Sequence, residues 1–238
     1  MKLNSIFLYD DQIGKVDYVD HMGTDLTIVN SARVSFGKNK NQIDEKDKKL
    51  INYLVSHKHT STFEHNVITF RCKVPLFVRS QHHRHRTWSY NEISRRYTSV
   101  DLEFYEPSSF RTQHKSNRQA SNDEEINPDT NEFTNRPLPV RPYLASEAVK
   151  NHHARSVSLF NKLLDKGICR EQARGVLPQN LYTEYYATCN LNNLMKFISL
   201  RTHDGAQLEI RKLADAMLKM SSDIWPCAVG AYRENLNG

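Results

Sequence analysis

Ile68, Phe70, Cys72 and Val74 alternate with Thr69, Arg71 and Lys73, and that period of two predicts a strand with one face buried. Such a strand cannot stand alone, so the rest of the chain must supply partners for its edges and a cover for its apolar face. The cover is legible as helices. Ile43, Leu50, Ile51, Leu54 and Val55 repeat with helical spacing behind Asp44, Glu45 and Asp47, predicting a helix over about 43–56 whose dipole favours those carboxylates. Ala145, Val149, Leu159, Phe160 and Leu163 mark a second over about 143–166, Leu191, Leu194, Met195 and Ile198 a third, and Ile210 through Ile224 a long one near the C-terminus. Pro75 suits the first position of a short helix through Leu76, Phe77 and Val78. Leu181 to Thr188 is rich in β-formers and is read as a strand, with a helix as the alternative. The chain is therefore expected to be α+β and mostly helical, with its 238 residues forming one domain.

The stretch from Gln113 to Pro142 is dominated by Asn, Asp, Glu, Arg, Ser and Pro, so a mobile surface segment is expected there, either a lid or plain disorder. The N-terminal apolar run is too short for a signal sequence and no apolar stretch reaches membrane-spanning length, which points to a cytoplasmic protein without a membrane partner. Four scattered cysteines, with no Cys-x-x-Cys pair, are read as reduced thiols, and none lies in a nucleophile motif.

The chemistry concentrates in Arg84-His85-Arg86-Thr87-Trp88-Ser89-Tyr90-Asn91-Glu92-Ile93-Ser94-Arg95-Arg96, which begins where the short helix ends and is expected to continue as a loop. Its four arginines are permanently charged forks that match phosphate oxygens, while Ser89, Asn91, Glu92 and Ser94 add donors and acceptors suited to a sugar or a base edge. A net charge of +6 suits an anionic ligand without demanding a nucleic-acid polymer. The bland reading is a solvated basic face. Histidines at 57, 59, 65, 82, 83 and 85 raise the idea of zinc, but alternate histidines at a helix end do not share a face, and the arginines would repel a cation; partly buried, hydrogen-bonded roles for His57 and His65 are the alternative. With eight glycines and no Gly-rich phosphate loop, any nucleotide would be held by side chains. Arg174 precedes a helix-stopping Pro178, and Arg201 ends the third helix beside Thr202, His203 and Asp204, where capping or ion pairing is the simplest role.

The run Arg-His-Arg-x-x-Ser-x-Asn-Glu-x-Ser-x-Arg at 84–96 resembles the signature of the flavin-dependent thymidylate synthases. Further blocks agree in order: Gly23 to Leu26, Ser31 to Phe36, His59 to His65, Ala173 to Pro178, Leu200-Arg201 and Ala206 to Arg211, leaving only 113–142 unmatched. The resemblance implies an antiparallel sheet, a homotetramer with active sites between subunits, FAD as cofactor, and dUMP, methylenetetrahydrofolate and NADPH as substrates. It implies reductive methylation of dUMP to dTMP without an enzyme nucleophile. It assigns FAD contacts to His59, Ser61, Arg84, His85, Arg86, Glu92, Asn190, Leu191, Asn192 and Lys196. It assigns dUMP contacts to Gln81, His82, His83, Arg84, Glu92, Ile93, Ser94, Arg95, Arg96, Arg174 and Arg201, with Arg201 also favouring ionisation at the pyrimidine N3. Asn192 stands where the family leads one to expect a basic residue and Lys196 where it leads one to expect asparagine, as though charge and amide had traded places across one helical turn. The rival readings are a basic RNA-binding module stacking bases on Trp88, Tyr90 and Tyr97, and a flavoprotein of this fold that lacks methyl transfer.

Overall fold

A computed structural model describes residues 5–100, 102–130 and 142–236. Seven strands are described: β1 (Ser5–Phe7), β2 (Lys15–Met22), β3 (Val67–Pro75), β4 (Ser89–Glu92), β5 (Phe110–Gln113), β6 (Ser121–Ile126) and β7 (Tyr182–Asn190). The helices are α1 (Asp25–Arg33), α2 (Glu45–Ser56), α3 (Leu76–His82), α4 (Ala145–Asp165), α5 (Arg170–Ala173), α6 (Leu191–Arg201), α7 (Leu208–Ile224) and α8 (Pro226–Leu236). The fold is α+β, with an antiparallel sheet in the order β1-β2-β3-β7-β4.

The alternating strand is the centre of that sheet. Along β3, Ile68, Phe70, Cys72 and Val74 are buried, and β7 pairs with it from Val67↔Asn190 to Pro75↔Tyr182, which settles Leu181–Thr188 as strand. Tyr185, Ala187 and Cys189, register partners of Cys72, Phe70 and Ile68, continue the apolar face, and Ile210, Leu213, Ala214, Met217 and Met220 of α7 belong to the same core. Pro75 ends β3 with extended backbone and caps α3 from outside, one position earlier than expected, and α3 runs to His82, so the motif begins where the short helix ends, as expected. At the start of α2, Asp44 accepts from the Asp47 backbone N–H at 3.0 Å, satisfying one of the donors a helix leaves orphaned. The carboxylate of Asp47 is fully buried between Arg33, at 2.5 Å, and Lys40.

Two expectations fail. The motif does not continue as a loop, because residues 89–92 form β4 and pair with β7 from Ser89↔Thr188 to Glu92↔Tyr185. Nothing in its polar sequence announces a strand; the free edge of β7 supplies unpaired N–H and C=O groups, and Tyr90 fixes the register by donating to the carbonyls of His82 and His85 at 3.0 and 3.2 Å. Nor is all of 113–142 irregular, since β6 pairs with β5 as a two-stranded ribbon. Arg111 of this ribbon reaches the buried Glu209 at 2.9 Å, a tertiary anchor that composition cannot show. The rest of that expectation lies partly outside the described residues, at 131–141.

Candidate active site

Two cavities bear on the motif, one lined by its Glu92-to-Arg96 end and the other by Arg201, which touches His85. The first, about 580 Å³, is lined by Glu92, Ile93, Ser94, Arg95, Arg96 and Arg174, together with Arg79 and Thr183. Strand β4 delivers the first of these. The Ile93 N–H then bonds the Glu184 carbonyl at 2.9 Å, and a turn closed by Tyr97 N–H to Ser94 C=O at 3.0 Å swings Ser94, Arg95 and Arg96 to one side. Arg174 arrives from a distant short 3-10 turn, Arg174–Val176, after α5. Sequence neighbours and a remote arginine thus converge on one hollow rich in guanidinium groups.

Inside this hollow Glu92 is tied twice, accepting from the Thr183 hydroxyl at 2.6 Å and facing Arg79 Nε at 3.2 Å. Arg95 bonds the carbonyls of Val100 and, at 3.3 Å, Tyr182, so it braces the turn as well as lining the cavity. Arg96 lies over the Tyr97 ring, with its guanidinium carbon 5.3 Å from the centroid. Sequence reasoning overlooked Arg79; the signal was its place one turn after Leu76 on the helix expected between Pro75 and the motif, which carries residue 79 to the same side as Leu76.

The second cavity, about 710 Å³, is lined by Lys196, Ser199 and Arg201 of α6, by His203 and Ala206 beyond it, and by Asn117 and Gln119 at the turn of the ribbon. Arg201 does not cap its own helix or pair with Asp204. Its Nε donates to His85 Nε2 at 3.3 Å and its Nη2 to the Gln81 carbonyl at 3.4 Å, joining the end of α6 to the start of the motif. Burial and the Arg201 charge hold the His85 imidazole down at about 4, so it is a neutral acceptor near pH 7. Burial also lowers the Arg201 guanidinium from its usual value.

Behind His85, His82 is fully buried among Trp88, Tyr90, Tyr185 and Phe197, sharing a 2.8 Å hydrogen bond through Nδ1 with Tyr185. Burial first, then neighbouring His85, His83 and Arg201, push its pKa well down. The side chain of His82 therefore braces the motif from within and faces neither cavity, contrary to a ligand contact through its ring. His83, half-buried, packs against Tyr90 with centroids 4.1 Å apart.

The remaining expected positions fall apart in this chain. Asn190 caps α6 by accepting from Asn193 N–H at 2.9 Å, Leu191 is buried in the core, and the buried Asn192 donates to Glu64 at 2.9 Å. Of that group, Lys196 opens onto the second cavity. The trade of charge and amide thus leaves the amide inside and the cation outside. His59 and Ser61 are exposed around the 3-10 turn Thr60–Phe63, with His59 stacked near Tyr53 at 6.0 Å. His57 and His65 are exposed rather than partly buried, although His57 Nδ1 does lie 3.0 Å from the Tyr53 carbonyl. The side chains of Arg84 and Arg86 are exposed and carry no ion pair among the described residues.

Residues 17–227 match the family model described as thymidylate synthase complementing protein. The chain belongs to the flavin-dependent thymidylate synthase family. A relative of that name from Thermus thermophilus is 42% identical over 223 residues, covering 94% of this chain and 77% of the relative. Another from Thermotoga neapolitana is 39% identical, covering 92% and 90%. Among solved structures, a UMP/dUMP methylase, PolB from Streptomyces cacaoi, bound with 5-Br dUMP, superposes with a TM-score of 0.78 at 33% identity, covering 92% of this chain and 94% of that one. The protein is thus an enzyme of the flavin-dependent thymidylate synthase class rather than a basic binding module. Among the described residues no helix is long and apolar enough to cross a membrane.

Proposed function

We propose that the enzyme converts dUMP to dTMP, taking the carbon from methylenetetrahydrofolate and reducing equivalents from NADPH by way of bound FAD. The observation that carries this reading is the convergence of Ser94, Arg95 and Arg96 with the remote Arg174 on one cavity, a set of forked cations and a hydroxyl fitted to a nucleoside monophosphate. The dUMP named with PolB accords with it.

The residues present fit a flavin dinucleotide as well. Arg84 and Arg86 offer two exposed guanidinium groups, His59 and Ser61 add exposed polar groups, and Lys196 adds a cation. A pyrophosphate-bearing cofactor needs such charge, and no glycine loop provides it. When bound, the flavin supplies hydride transfer.

The chain's own work is positioning and electrostatics. Arg96 and Arg174 neutralise the nucleotide phosphate; Glu92, held by Arg79 and Thr183, keeps their repulsion in check. Arg201, partly withdrawn from water and aimed by neutral His85 and the Gln81 carbonyl, favours negative charge on the pyrimidine, an effect that low local polarity strengthens. Cys72 and Cys189 are buried with pKa values pushed up, the wrong setting for an attacking thiolate.

The two cavities share no lining residue in one chain, and Arg84, Arg86, Tyr97 and Leu200 are left exposed. A homotetramer in which one subunit's Gln81 to Arg86 faces another's Glu92 to Arg96 would bring both halves to one dUMP. The decisive assay reduces the bound flavin and follows its reoxidation with dUMP and methylenetetrahydrofolate together and singly. Reoxidation coupled to dTMP only with both supports the proposal. Oxidation without dTMP indicates a flavoprotein of this fold that lacks methyl transfer.

A further inference from the structure

Ala206 to Arg211 matches the family in sequence, yet the roles assigned above leave most of it unused. Its side chains form a directional hydrogen-bond relay. Glu209, 4% exposed, is held by Arg111 of the ribbon at 2.9 and 3.1 Å and by the Tyr105 hydroxyl at 3.2 Å. Gln207 Nε2 donates to Glu209 at 2.8 Å, and Gln207 Oε1 accepts from Gln81 Nε2 at 2.6 Å.

The direction of this relay is forced. A carboxylate paired with arginine only accepts, so Gln207 must turn its NH₂ toward Glu209 and its oxygen toward Gln81. Gln81 must then spend its NH₂ on Gln207, and its side-chain oxygen is left without a protein partner among the described residues. The same residue's backbone carbonyl receives Arg201 at 3.4 Å, so the relay ends where the proposed chemistry begins.

We propose that Gln207 and Glu209 are positioning residues that fix the polarity of the Gln81 amide, so that it offers the nucleotide a hydrogen-bond acceptor, with Arg111 locking the relay from the ribbon. This rests on the reading that Gln81 meets dUMP. The ligand group recognised would be a donor, a ring N–H or a sugar hydroxyl. A freely rotating glutamine presents either end; in this one the nitrogen is held at Gln207 by one of its two N–H groups, and the oxygen is turned the other way.

Reversing the relay tests it. Gln81→Glu sets acceptor against acceptor at Gln207, and the FAD-loaded enzyme should bind dUMP about tenfold more weakly and melt at a lower temperature. Adding Glu209→Gln lets the new amide donate to Gln207, which can then turn and donate to the carboxylate introduced at position 81. The double variant should recover most of both losses, whereas Glu209→Gln alone, which weakens the Arg111 anchor, should lower the melting temperature on its own. Additive losses in melting temperature, measured without nucleotide, would overturn the relay. If melting temperatures couple but Gln81→Ala binds dUMP normally, the relay exists, Gln81 does not meet the nucleotide, and the positioning role fails through that reading.

Discussion

Around Arg96 and Arg174 the guanidinium groups stand in a hollow that gathers charge from separate parts of the chain, whereas Arg201 is drawn partly inside and held against a neutral imidazole and a backbone carbonyl. The first arrangement suits a ligand that brings its own full negative charge. The second suits charge that develops only during reaction, because a cation with no anionic partner in hydrogen-bond range keeps its field for what enters the cavity. In the proposed function the same residue type thus serves binding in one cavity and turnover in the other.

The sharpest way to break that comparison is to remove Arg201. Arg201→Ala should lower kcat by roughly 100-fold or more, while dUMP affinity falls by less than about tenfold. Equal losses in kcat and affinity would make Arg201 another phosphate ligand and erase the distinction. Arg174→Ala should do the opposite, weakening dUMP by about 10- to 100-fold with kcat at saturation largely kept, and flattening the salt dependence of binding. Titrations at two ionic strengths would read both effects; unchanged affinity would remove Arg174 from the nucleotide site.

The two cavities also differ in how far they could be read from sequence. The helices covering the sheet, the β3 strand and the arginine run at 84–96 follow from periodicity and residue type, because local pattern dictates them. Strand β4 does not, since its pairing depends on an edge supplied by residues nearly a hundred positions later. The contact of Arg201 with His85 was hidden for the same reason; Arg201 beside Asp204 suggested a local pair, and only packing of α6 against the motif turns it inward. Arg79 and Asn117 line cavities through helix phase and ribbon pairing, neither of which their own residue types announce.

Tyr90 joins the two regions, and its hydroxyl donates to the carbonyls of His82 and His85 at the turn between α3 and β4. Tyr90→Phe should cost about 1 kcal/mol of stability, one net hydrogen bond, and loosen His85 against Arg201. Denaturant unfolding would measure the first and kcat the second. A stability loss with kcat untouched would show that the turn does not transmit to the Arg201 cavity.

The smallest expected effect is also the most direct report on the Arg201 environment. An ordinary histidine titrates near 6.5, and His85 is held at about 4, chiefly by burial and secondly by Arg201. Between those values the unfolded chain binds a proton that the folded one refuses, so this residue's contribution to stability is full above about 6.5, is lost progressively as pH falls toward about 4, and changes no further below. In Arg201→Ala the burial remains and the repulsive charge goes, so the His85 midpoint should rise from about 4 only part of the way toward 6.5. Ring-resonance NMR titration of the two proteins would show it. An unmoved midpoint would mean that the Arg201 charge does not reach the imidazole across their 3.3 Å contact, and the polarising role assigned to that charge in the cavity would lose its nearest physical support.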